Sequence, residues 1–234
     1  FNSIRKFIIF QLTINVAAVL ISFICPLLDL ASPLNVIQIL WVNLVMDTLA
    51  ALAFGGEPAL SRFMKEKPKK RTEHIISRNM MSEIIVGAGW TFILSIAMLL
   101  LGERIVDANG VAMLESLGWL RSGSIEGDAH IYLTTAYFAF FIFVAVFNSF
   151  NARTEKMNLF DNLSKNKGFL TVFGIIAAVQ IAMTYIGLAV PAVGEILGCH
   201  GLNGSEWLLV LVMAISIIPV DLIRKAIAKA VSAK

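Results

Sequence analysis

The 234-residue chain is 58% hydrophobic and 15% charged, with a mean hydropathy of +0.80. Soluble domains are about 45–50% apolar and about 25% charged, so this composition excludes an ordinary soluble core and fits a chain whose solvent is mostly lipid. The formal charge of +3 decides little, because in a membrane protein the placement of charge matters more than its sum; no nucleic-acid partner is expected.

The chain opens mid-pattern on FNSIRKF without an initiator methionine and reads as a piece of a longer polypeptide. A bilayer-spanning helix needs about 20 mainly apolar residues, and six stretches qualify. In chain order the expected spans are 7–25, 36–54, 84–101, 131–148, 169–188 and 207–223. The expectation is an all-α membrane protein, a six-helix transmembrane bundle occupying residues 1–234 as one domain. A short helix is expected around Val111–Leu120, inside the long connection between the third and fourth spans.

The connections alternate in charge. Segments 26–35, 102–130 and 189–206 are short or acidic, while 55–83, 149–168 and the tail 224–234 are basic. With Arg5 and Lys6, the basic side holds 17 of the 19 lysines and arginines, leaving only Arg104 and Arg121 opposite. The positive-inside rule then makes both termini and the two basic loops cytoplasmic. Cys25 and Cys199 match no metal-ligand spacing and read as independent thiols.

Asp47 is the sharpest feature, a carboxylate well inside the second apolar stretch. Such a group costs at least about 2.5–3.5 kcal/mol at the centre of a spanning helix and normally faces a cavity or a partner. Asn43 lies four residues earlier, on the same helix face. One charged and one neutral oxygen donor on one stripe is the hard-ligand chemistry that suits Ca2+. The alternative for Asp47 is an interhelical hydrogen bond or ion pair, but the spans offer no lysine or arginine at matching depth. Asn15, in the first span, is a candidate neighbour that could equally make a simple interhelical hydrogen bond. Gln11 and Gln38 sit near the ends of their spans, and Gln180 lies mid-span without an acidic neighbour; for these, packing is the plainer role. Asp221, near Arg224, reads as an interfacial charge pair.

The stretch PLNVIQILWVNLVMDTLAALAFGGEP, residues 33–58, resembles the sixth transmembrane helix of P-type calcium-transporting ATPases. FNSIRKFIIFQLTINVAAVL resembles the fifth helix, ISRNMM the entry to the seventh, and FNSFNAR the exit of the eighth. The resemblance covers the whole chain and implies the last six helices of such a pump. It also implies that Asn43 and Asp47 are calcium ligands, and it matches the family's helix-five asparagine to Asn15. Two-ion pumps of this family use a further glutamate in helix five, a threonine before the helix-six aspartate and a glutamate in helix eight. Those positions here are Ala18, Met46 and Ala145. The resemblance therefore implies the single-ion, plasma-membrane type, located in a plasma membrane or a bacterial inner membrane.

The implied partners are the bilayer and the rest of the pump polypeptide, namely its phosphorylation domain and its fourth helix. Mg2+ and ATP would act only through domains outside this chain. The segment by itself is expected neither to hydrolyse ATP nor to hold calcium tightly. A manganese/calcium pump of the secretory type and a non-catalytic helical membrane scaffold are the alternatives. A secondary transporter would show an inverted repeat, and none is evident.

Overall fold

The computed structural model describes residues 2–30, 32–56, 76–121, 130–154, 156–159, 163 and 166–232, with the side chains of Val45, Met46 and Ser232 also outside the description. The basic residues expected in the loop from Arg62 to Arg71, and the Glu57-Pro58 pair of the helix-six resemblance, lie outside the described residues. The secondary structure of the described residues is helical apart from one isolated antiparallel bridge between Val106 and Ala112.

Among the described residues, six helices are long and apolar enough to cross a bilayer: Asn2–Leu27, Val36–Gly55, Arg78–Arg104, Ile131–Arg153, Lys167–Ala189 and Gly204–Val231. The first is α1 (Asn2–Leu27), with Pro26 in its last turn. Behind it, Leu30 N–H donates to the Cys25 carbonyl, and Asp29 turns the chain through a positive φ of 52°. The second span is composite: α2 (Val36–Trp41), a π-helical turn (Val42–Met46) and α3 (Asp47–Gly55). It starts on a capping box in which Asn35 and Gln38 bond each other's backbone N–H groups, satisfying donors that a helix start leaves orphaned. The third span is α4 (Arg78–Leu99), capped by Ser77 and ending in a second π-helical turn (Leu100–Arg104). The expected helix in the following connection is the single turn α5 (Met113–Ser116).

The fourth span, α6 (Ile131–Arg153), is the central post. Its apolar window is 78% buried, against 25–33% for the other five spans. It packs on α1, α4, α7 (Lys167–Ala189), α9 (Gly204–Ile215) and α10 (Ile217–Ser232). Small and aromatic residues on every side of this helix, from Ala136 and Tyr137 to Val144 and Ala145, are buried. After α7 comes α8 (Pro191–Leu197). It packs so closely on α7 that a Cβ at Gly187 would meet the Cys199 carbonyl and the Gly194 Cα. The sixth span breaks at Ser216, between α9 and α10. Pro219 has no N–H to donate to the Ile215 carbonyl, so the regular ladder is interrupted there. The Ser216 hydroxyl instead donates to the Met213 carbonyl and accepts from the Trp90 indole at 2.8 Å.

Two polar clamps close the bundle at opposite ends. At one, Arg121 grips the buried Glu206 with two guanidinium bonds of 2.9 Å, bonds the Gly201 carbonyl at 2.7 Å and lies 4.1 Å over the Tyr132 ring. The Glu206 hydrogen bond pushes the Arg121 guanidinium further up, so it stays charged. At the other, buried Arg224 bonds Glu83 of α4 at 3.0 Å and Asp221 at 2.6 Å. Lys225 adds a 2.7 Å bridge to Asp221 and a bond to the Asn151 carbonyl of α6. The expected Asp221–Arg224 pair is therefore present, but as part of a buried cluster that ties three helices. Both cysteines are buried free thiols, and burial pushes the Cys199 thiol up to about 11, which leaves it unreactive.

Candidate functional site

Asp47 begins α3 directly after the π-helical turn that contains Asn43. A π turn widens the helix by one residue per hydrogen-bonded loop, and such turns concentrate at functional positions. Over four residues it still leaves Asn43 and Asp47 on nearly one side of the helix. The irregularity is partly satisfied locally, since the Thr48 hydroxyl donates back to the Leu44 carbonyl at 2.5 Å.

Asn43 and Asp47 differ in setting. Asn43 is exposed, whereas Asp47 is half-buried at the open edge of a face that continues through the buried Ala50 and Phe54. Gln11 of α1 donates from Nε2 to Asp47 Oδ2 at 3.0 Å. Asp47 thus has an interhelical hydrogen-bond partner, and the residue that supplies it is one that sequence position alone marks as packing. The legible signal is spacing: Gln11 and Asn15 are four apart on α1 and so share a face. Asn15 itself is half-buried. Among the described residues no hydrogen bond joins Asn15 to Asn43 or Asp47.

Gln38, also assigned to packing, is buried and donates to the Leu197 carbonyl at 2.8 Å, which anchors the start of α2 to the end of α8. Of the three positions where two-ion pumps have oxygen ligands, Ala18 is half-buried and Ala145 fully buried, and the Met46 side chain lies outside the described residues. Among the described residues there is no group of three or more histidine, cysteine, aspartate or glutamate side chains placed to hold a metal ion. What the seam between α1 and the second span offers is one carboxylate with amides around it. Such groups are hard oxygen donors.

The inner part of the second span is held by aromatic packing. Phe54 lies 5.8 Å from Phe10 of α1, 5.8 Å from Phe169 and 6.0 Å from Phe173 of α7. Both α1 and α7 therefore fix α3 near its C-terminus, while the π turn lies about two turns earlier in the span.

Six bilayer-length helices around a buried post, with an ionisable group inside one span, make this a multi-pass integral membrane protein. Residues 31–227 match the family described as cation transporting ATPase, C-terminus, and the chain belongs to that family: it is the membrane part of a cation-transporting P-type ATPase. It is 33% identical over 210 residues to the plasma membrane calcium-transporting ATPase 1 of Gallus gallus, an alignment covering 89% of this chain and 16% of that protein. It is likewise 33% identical over 218 residues to the putative calcium-transporting ATPase 11, plasma membrane-type, of Arabidopsis thaliana (92% of this chain, 19% of that protein). A third relative, calcium-transporting ATPase 1, plasma membrane-type, of Oryza sativa subsp. japonica, is 33% identical over 207 residues and is covered to 18% of its length. The chain thus spans less than a fifth of the length of the curated relatives it matches.

Proposed function

We propose that this chain is the membrane half of an ATP-driven calcium efflux pump and supplies part of a single transmembrane Ca2+ site through Asp47 and Asn43, with Asn15 adjoining. The observation that carries the reading is Asp47, a carboxylate within a spanning helix, next to a π turn, whose hydrogen-bond partner is the neutral Gln11 rather than a cation. A neutral partner leaves the negative charge uncompensated, and a lone carboxylate at bilayer depth is costly. An arriving cation supplies the missing compensation. Gln11 engages Oδ2 and so orients the carboxylate, leaving Oδ1 for the ion. Asn43 adds a neutral oxygen from the same side. Calcium takes about six to eight oxygens, so the remaining donors are waters, backbone carbonyls of the π turn and groups of the rest of the pump.

The names of the relatives support calcium and the plasma membrane; the corresponding location in a bacterium is the inner membrane. The side chains at Ala18, Met46 and Ala145 carry no oxygen, which supports one ion per cycle. The distribution of basic residues supports cytoplasmic termini. Phosphorylation by ATP and its Mg2+ requirement belong to domains outside this chain.

The test is Asp47→Asn in the full-length pump. The charge is lost while the shape is kept, and calcium-activated phosphorylation from ATP is expected to disappear, while phosphorylation from inorganic phosphate, which needs no calcium, persists. Normal calcium activation in this variant contradicts the assignment.

A further inference from the structure

Gln180 of α7 is 1% exposed, and neither the oxygen nor the nitrogen of its carboxamide has a hydrogen-bond partner among the described residues. A buried amide without partners is expensive, by about 1–3 kcal/mol in mutational measurements. Native proteins keep such groups where a ligand, an ion or an ordered water completes them. A role as glue between helices requires a hydrogen bond, and none is present at this residue.

Its position can be read from the aromatic contact between α3 and α7. Phe54 and Phe173 lie 6.0 Å apart. Asp47 precedes Phe54 by seven residues and Gln180 follows Phe173 by seven. Seven residues are two helical turns, so Asp47 shares the face of Phe54 and Gln180 the face of Phe173. The two helices belong to the second and the fifth spans, which cross in opposite directions, so both displacements, about 10 Å each, run the same way across the bilayer. Gln180 therefore sits at about the depth of Asp47, on the buried stripe of α7 that faces α3 near Phe54. The same stripe continues through Phe169, Ile176 and Thr184, all buried.

We propose that Gln180 is a specificity residue of the cation site, presenting its carboxamide oxygen to the transported divalent cation or to a water in that cation's shell. The proposal rests on the reading of Asp47 as the charged ligand. It adds a neutral donor from the fifth span to a site otherwise built from the first two. A carboxamide oxygen is a hard, neutral donor of the kind a calcium ion takes alongside carboxylates. The replacement Gln180→Leu also gives a sharp structural control. Exchanging an amide that truly has no partner for an isosteric apolar side chain is neutral or stabilising, so the variant is expected to assemble.

The experiment measures phosphorylation from ATP as a function of free calcium, and phosphorylation from inorganic phosphate without calcium, in full-length pumps. Gln180→Leu is expected to raise the half-activating calcium concentration roughly tenfold, the loss of one charge-assisted contact, and to leave phosphorylation from inorganic phosphate unchanged. Gln180→Glu, which keeps an oxygen, is expected to stay within about threefold of the parent, the scale of a fraction of one hydrogen bond. If the leucine variant does not assemble, Gln180→Met carries the same expectation. Unchanged calcium activation in Gln180→Leu overturns the proposal, as does a variant in which only phosphorylation from inorganic phosphate changes. Asp47→Asn, run in parallel, separates the two readings. Loss of calcium activation there with a normal leucine variant removes Gln180 alone, whereas normal activation in Asp47→Asn removes the site itself.

Discussion

The fourth and second spans are built from similar apolar residues and meet opposite fates. In α6 the apolar window is 78% buried, the helix is unbroken over 23 residues, and five other helices pack on it. The second span is 25% buried, leans mainly on α1 and α7, and is interrupted by a π turn at Val42–Met46. The difference separates the scaffold from the proposed site. Interior packing fixes one helix conformation, because a close-packed core tolerates little displacement. A helix held at its two ends, by Gln38 and by Phe54, can carry an irregular middle where a carboxylate and an amide stay accessible.

That contrast can be broken from the scaffold side first. Arg224→Ala leaves Glu83 and Asp221 buried with one fewer cation, and breaking a buried ion pair costs about 3–5 kcal/mol. A large drop in the thermal transition of detergent-solubilised protein is expected. A near-normal transition would show that the cluster does not hold α4, α6 and α10 together. Next comes the anchor of the second span at its start. Gly187→Ala pushes a Cβ into the Cys199 carbonyl and the Gly194 Cα, with an expected cost of about 1–3 kcal/mol from overpacking. Because α8 carries the carbonyl that Gln38 holds, this variant should also weaken calcium activation in the full-length pump. Asn35→Ala removes one half of the capping box and is expected to cost about 1 kcal/mol, read in the same thermal assay.

The smallest effect is a pH dependence in the connection after α4. Amide hydrogen bonds from Val111 and Asn109, and the Ser116 hydroxyl, hold the Asp107 carboxyl below the ordinary aspartate range. A depressed folded-state pKa gives stabilisation that is complete above the unfolded value and lost as pH falls through the folded one. Exchange protection of the Val111 amide is therefore expected to be constant at neutral pH and to decline only in strong acid, below the usual aspartate pKa. A decline near pH 6 would contradict the assignment.

Much of this architecture is legible in the sequence because lipid imposes a simple rule on length and polarity. The apolar runs around Phe10, Ala139 and Ile176 announce helices, and their residues lie within α1, α6 and α7. Which helix becomes the central post is less visible, since runs of similar hydropathy differ in burial only through their packing partners. The break at Ser216 follows from Pro219, whereas the π turn before Asp47 has no proline or glycine to announce it. Asp47 and Asn43 stand out as polar residues in an apolar stretch. Gln11 does not, because its importance lies in a contact 36 residues away in sequence. Glu83 is equally hidden: it precedes the apolar run of α4, and only the fold brings Arg224 to it across 141 residues.

The most direct test of the account is equilibrium binding of calcium to the full-length pump and to its Asp47→Asn variant. The account predicts one ion bound per pump, and loss of that ion in the variant. Two ions per pump, or one ion retained by Asp47→Asn with unchanged affinity, would contradict it.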